Sequence, residues 1–172
     1  MRADMERILV SACLLGEPVR HDGRDKLCDD EILRQWIRDG RVVPVCPEIA
    51  GGLPVPRPAA EVAGGAGGAS VLDGRATVVD KEGRDVSRFF VAGGEAALAL
   101  ARAAGIRIAV LKEGSPSCGS AWSYDGTFSS MRVPMPGVTA ALLMRESIRV
   151  FSEEQLTEAQ SYLAELESAN AR

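Results

Sequence analysis

Apolar and polar positions alternate along this chain in blocks that predict strands and helices in turn. Residues 8–12 (ILVSA) form a short unbroken apolar run, the pattern of a strand buried on both faces. Residues 13–28 carry Gly16, Pro18 and Asp22-Gly23 and predict a loop. Asp29 or Asp30 can cap a helix over about 30–39, with Ile32, Leu33, Trp36 and Ile37 on one face and Gly40 beyond its end. Residues 42–46 (VVPVC) predict a second strand, and Pro44 within it points to a sheet edge or a strand end. Residues 47–76 are rich in Gly, Pro and Ala and predict a long irregular segment, its proline-rich half ordered over a site and its glycine-rich half mobile. A short strand at 77–80 precedes a long helix from Asp85 or Ser87 to about 104, with Phe89, Phe90, Leu98 and Leu100 as apolar surface and Gly105 closing it. Residues 106–111 predict a third clear strand. Asp125-Gly126 between aromatic residues signals a tight hairpin. A helix over 137–147, a strand over 148–151 and a helix opened by Ser152 and running to about 168 complete the chain.

Alternation of this kind predicts an α/β fold, a three-layer Rossmann-like sandwich with a mainly parallel sheet. A length of 172 residues suits a single domain over 1–172. Apolar residues at 46% and charged residues at 26% exclude a mainly disordered chain. A net charge of −4 argues against a broad nucleic-acid footprint, though not against a local basic groove. No apolar stretch is long enough to span a membrane. The run Val10-Ser11-Ala12-Cys13 looks like a lipoprotein cleavage box, but its apolar stretch is short and Asp4 and Glu6 precede it. A cytoplasmic, reducing location without disulfides is therefore expected.

His21 is the chain's one histidine, so a multi-histidine metal site is excluded. With no evident partner, His21 reads as structural or exposed. The four cysteines show no C-x-x-C pairing, which removes the usual zinc-ribbon and redox spacings. Cys13 follows the first strand, Cys46 ends the second and Cys118 lies in the loop after the third. Strand C-termini share one edge of a parallel sheet, so these three thiols can converge there. The plainer reading makes each a small buried hydrophobe. Their neighbours, Cys46-Pro47 and Pro116-Ser117-Cys118-Gly119, suit a ligand cradle better. Three thiolates would select a soft centre, such as zinc, copper(I) or an iron–sulfur cluster, with one position open. Cys28, in the polar stretch GRDKLCDD, reads as an incidental or merely partly buried thiol, although Cys28 or His21 could supply the fourth ligand of a structural zinc. Glu48 could be a general acid or base beside such a centre, or simply the partner of Arg57 in an ion pair. Ser115 and Ser117 could hydrogen-bond cluster sulfurs or substrate, or merely cap a turn. The glycine-rich run at 64–68 lacks the lysine-serine ending of a phosphate loop.

Taken together, VSACLLG (10–16), VRHDG (19–23), PVCPEIAGGLPVPRPAAEV (44–62), GRDVSRFFVAGGEAAL (83–98), LKEGSPSCGSAWSYDGTFS (111–129), GVTAALL (from 137) and IRVFSEEQL (ending at 156) resemble the bacterial thiouracil desulfidase family over nearly the whole chain. The resemblance implies a 4Fe–4S cluster held by Cys13, Cys46 and Cys118, with one iron left open for the sulfur of a thiolated base. It implies conversion of 2-thiouracil-type compounds to the oxo base and hydrogen sulfide, with Glu48 and either Ser115 or Ser117 serving the proton chemistry. Related proteins with extra domains act on thiolated transfer RNA, so this length points to a free base or nucleoside as the small-molecule partner. Two positions depart from the family pattern: His21 stands where Tyr is more common, and Ser147 where Gly usually ends a helix. The competing readings are a zinc-binding structural module and a cysteine-nucleophile sulfurtransferase.

Overall fold

The computed structural model describes residues 5–172. Its centre is a parallel sheet of β1 (Ile8–Ser11), β2 (Val42–Val45), β5 (Ile108–Leu111) and β8 (Arg149–Ser152), in the order β2-β1-β5-β8. The antiparallel pair β3 (Ala60–Val62) and β4 (Val78–Asp80) and the small pair β6 (Ser123–Tyr124) and β7 (Arg132–Val133) lie outside it. β2 is an edge strand, which is why Pro44 is tolerated there.

Period-two alternation divides the sheet between two cores. Leu9, Ala109 and Leu111 face Ala97, Ala101 and Leu143 of α4 (Ser87–Ala103) and α5 (Val138–Arg145). Ile8, Val10, Ile108 and Val110 face Leu33, Trp36 and Leu163 of α1 (Glu31–Arg38) and α6 (Leu156–Asn170). The three-layer α/β sandwich is thus as expected. Caps follow the sequence too. Asp30, not Asp29, accepts the Ile32 amide at 2.8 Å, and Ser152 with Gln155 forms a capping box. Ile37 and Leu100, expected on buried faces, are 50% and 37% exposed. Each sits at the margin of its helix's apolar stripe.

Two expectations fail. The segment 47–76 holds α2 (Pro47–Ala50), β3 and α3 (Gly67–Leu72), and its glycine-rich half is folded. A Cβ on Gly68 would lie 2.3 Å from the Gly137 backbone, so these glycines serve close packing of α3 on the start of α5. The expected tight hairpin at Asp125-Gly126 is instead a wide connection over 125–131. There Glu61 accepts the amides of Gly126 and Phe128 at 3.0 and 3.2 Å. A tertiary carboxylate, not the local turn signal, sets that loop. Among the described residues no helix is long and apolar enough to cross a membrane.

Candidate active site

From β1 the chain passes to β2 on one side, and from β2 it crosses to β5 on the other. This reversal opens a crevice at the C-terminal ends of β1 and β5. A cavity of about 440 Å³ lies there, and Cys13, Cys46 and Cys118 all line it. Cys13 sits in the 3-10 turn Ala12–Leu15 immediately after β1. Cys46 caps α2, and Cys118 lies in the loop after β5. Cys28 is half-buried, packs beside the α1/α6 core and does not line the cavity.

All four thiols are free. Burial pushes Cys13 up to about 11, against the charges of Arg20 and Lys112. It pushes Cys118 up to about 12, against the polar Ser11 and Ser117 hydroxyls beside it. Cys46 is also raised by burial. Ligation by these thiols therefore requires a soft cation that displaces their protons. Among the described residues, no three His, Cys, Asp or Glu side chains are gathered for a single metal ion. Three thiols spread around one cavity and not gathered at one point suit a multi-metal sulfur cluster better than one tetrahedral zinc.

Glu48 lies one residue into α2, beside Cys46. One of its oxygens accepts Arg57 Nε at 3.1 Å, so the ion pair anticipated in the sequence exists. The other accepts the Ser117 hydroxyl at 3.0 Å. Ser115 Oγ accepts the amides of Ser117 and Cys118, each at 3.1 Å. With both lone pairs engaged, the Ser115 proton is directed at Ser117 Oγ, 2.9 Å away. A one-way chain results, Ser115 to Ser117 to Glu48. Ser115 is thus both the turn cap and the support of Ser117.

The structure adds residues that sequence reasoning missed. Glu113 is 5% exposed and accepts the amides of Ser120 and Ala121 at 2.8 and 3.1 Å and the Ser120 hydroxyl at 2.9 Å, closing the loop that carries Cys118. Its position between a strand end and Gly-Ser-Pro was the available signal. Trp122 and Tyr124 meet edge to face at 5.4 Å, and Arg132 stacks on the Trp122 ring at 3.7 Å, forming one cavity wall. His21 also lines the cavity, and its carbonyl accepts the Arg57 amide at 2.8 Å.

Residues 8–155 match the family described as 2-thiouracil desulfurase. The chain belongs to the 2-thiouracil desulfurase family. Among its relatives is YbbK, an uncharacterised protein of Bacillus subtilis (strain 168), 41% identical over 151 residues that cover 88% of this chain and 98% of that protein. The solved structure of the [4Fe-4S]-dependent thiouracil desulfidase TudS is 48% identical. It superposes with a TM-score of 0.84, covering 92% of this chain and 98% of TudS. The family match over residues 8–155 spans every residue that lines the cavity, from Ser11 to Glu154.

Proposed function

We propose that the chain is an iron–sulfur-dependent desulfidase that replaces the sulfur of a 2-thiouracil-type base or nucleoside with oxygen and releases hydrogen sulfide. The observation that carries this reading is the cavity itself, where Cys13, Cys46 and Cys118 face the hydrogen-bonded pair Ser117–Glu48. These three thiols would hold a 4Fe–4S cluster. When bound, the cluster supplies a soft Lewis acid for the thiocarbonyl sulfur and renders its carbon electrophilic.

The chain's own residues handle water and protons. Glu48, with one oxygen fixed by Arg57, takes a proton from the attacking water through the oxygen facing Ser117. Ser117 returns a proton to the ring or the departing sulfur and is resupplied from Glu48, which thereby returns to the carboxylate, while Ser115 holds the Ser117 hydroxyl in place. The Trp122 ring and its stacked Arg132 give a flat wall against which a planar base can lie. The sum is thiocarbonyl plus water giving carbonyl plus hydrogen sulfide, without an electron donor.

The test is anaerobic turnover of 2-thiouracil by reconstituted protein, with uracil and sulfide counted and the uracil oxygen traced from labelled water. Equal uracil and sulfide are expected. Glu48→Gln and Ser117→Ala should each retain the cluster yet lose about 10²–10⁴-fold in kcat, the range for general acid–base groups. Ser115→Ala should lose less. Stoichiometric zinc without sulfide release would overturn the reading in favour of a structural module. Activity that survives loss of two of the three cysteines would favour a thiol nucleophile.

A further inference from the structure

We infer that Arg57 is a positioning residue that locks Glu48 and the Cys46 loop into one arrangement. The inference rests on the role given to Glu48 above. The Arg57 side chain is 4% exposed, and Glu48 is its one carboxylate partner among the described ion pairs. Its fork reaches three segments at once. Nε donates to Glu48 at 3.1 Å, Nη1 to the Pro54 carbonyl at 3.2 Å and Nη2 to the Val19 carbonyl at 2.9 Å. The Arg57 amide also donates to the His21 carbonyl at 2.8 Å. The Val19 carbonyl is 3.9 Å from Cys46 Sγ. One guanidinium therefore fixes the carboxylate and also engages the carbonyl that the Cys46 sulfur meets.

A surface ion pair needs none of this. A planar group with donors in fixed directions can hold a carboxylate and two carbonyls together, whereas a lysine ammonium is a point charge on a flexible stem. Arg57 also confines Glu48 to one rotamer. The carboxylate oxygen it leaves free is the one that meets Ser117. Arg57 lines the cavity, so truncation opens a space that a small planar cation can enter.

The test uses the full chain with Arg57→Lys, Arg57→Ala, Glu48→Gln and the double variant Arg57→Ala/Glu48→Gln. Reconstituted Arg57→Lys should carry the parent's iron and sulfide and bind 2-thiouracil with KM within about twofold. Its kcat should fall about tenfold to a hundredfold, as expected when a reacting group is misplaced by a fraction of an ångström to 1 Å. Guanidinium chloride at low millimolar concentration should restore part of the Arg57→Ala activity. Without any cluster, calorimetry should show guanidinium binding to Arg57→Ala and binding about tenfold weaker to the double variant. An unchanged kcat in Arg57→Lys, or equal guanidinium binding by the single and double variants, overturns the inference. Full activity in Glu48→Gln overturns the role of Glu48, and the catalytic meaning of Arg57 with it. Loss in Glu48→Gln with Arg57→Lys unimpaired overturns the positioning role alone.

Discussion

Two adjacent glycines in α4 should respond to alanine with opposite sign. A Cβ on Gly93 would lie 2.0 Å from the Pro47 carbonyl oxygen, a backbone atom that no rotamer change can move. Reciprocally, a Cβ on Gly51 would lie 1.9 Å from the Phe89 carbonyl oxygen. The backbones of α2 and α4 are thus in contact, and Pro47 stands between Cys46 and Glu48. Alanine at 93 must drive α2 back by about 1 Å or more to reach a normal contact distance. Alanine at 94 would meet Leu142 and Thr139 side chains at 3.4 and 3.5 Å, ordinary packing distances. Both substitutions gain about 1 kcal/mol of helix propensity. Gly94→Ala should keep that gain and raise the thermal midpoint by about 2–4 °C for a chain of this length. Gly93→Ala should lose it to an overpacking cost of about 1–3 kcal/mol or more, lowering the midpoint. Because α2 carries Cys46 and Glu48, Gly93→Ala should also lower kcat by about 10²-fold per ångström of displacement. The assay is calorimetry of the cluster-free proteins, then iron content and 2-thiouracil turnover after reconstitution. If Gly93→Ala is as stable as Gly94→Ala and fully active, the close-contact argument is wrong.

Three other outcomes are expected. Cys28→Ser should keep the parent's iron and sulfide content, whereas serine at position 13, 46 or 118 should lower both; equal loss at Cys28 would place it among the ligands. Ser147 follows α5 with φ 66, and Ser147 and Ile148 donate to the carbonyls of Met144 and Leu143 at 3.1 and 2.9 Å, a Schellman closure that favours glycine. Ser147→Gly should therefore stabilise by about 1 kcal/mol in urea unfolding, and no gain would refute the strain assigned to this residue. At Glu6 burial opposes the charge, but hydrogen bonds from Arg107 and Asn170, aided by the Arg107 and Arg41 charges, outweigh it and hold the carboxyl below its ordinary 4.5. A depressed carboxyl contributes stability that is complete above its unfolded value and lost as pH falls through the folded one. The midpoint deficit of Glu6→Gln should be largest near neutrality and close as the pH falls below about 4.5; a deficit constant from pH 7 to 3 would refute it.

By itself the sequence determined the sandwich. Strand and helix periods, the caps at Asp30 and Ser152 and the edge proline at 44 are local signals, because each depends on side chains a few residues apart. It also located the three cysteines at strand ends, where a parallel sheet gathers them, and the family resemblance marked Ser147 as standing at a position suited to glycine. Other features depend on contacts between distant segments and have no local signature. Gly68 reads as mobile chain until Gly137 is seen against it, and the need for glycine at 93 shows only when the Pro47 backbone is seen against it. Asp125-Gly126 reads as a tight turn until Glu61 claims the amides beyond it. The pairing of Glu48 with Ser117 rather than Ser115 spans 69 residues, and residue type cannot distinguish two serines that flank one proline. The tertiary structure made that choice. Two backbone amides occupy the Ser115 oxygen and leave Ser117 as the donor that Glu48 can reach.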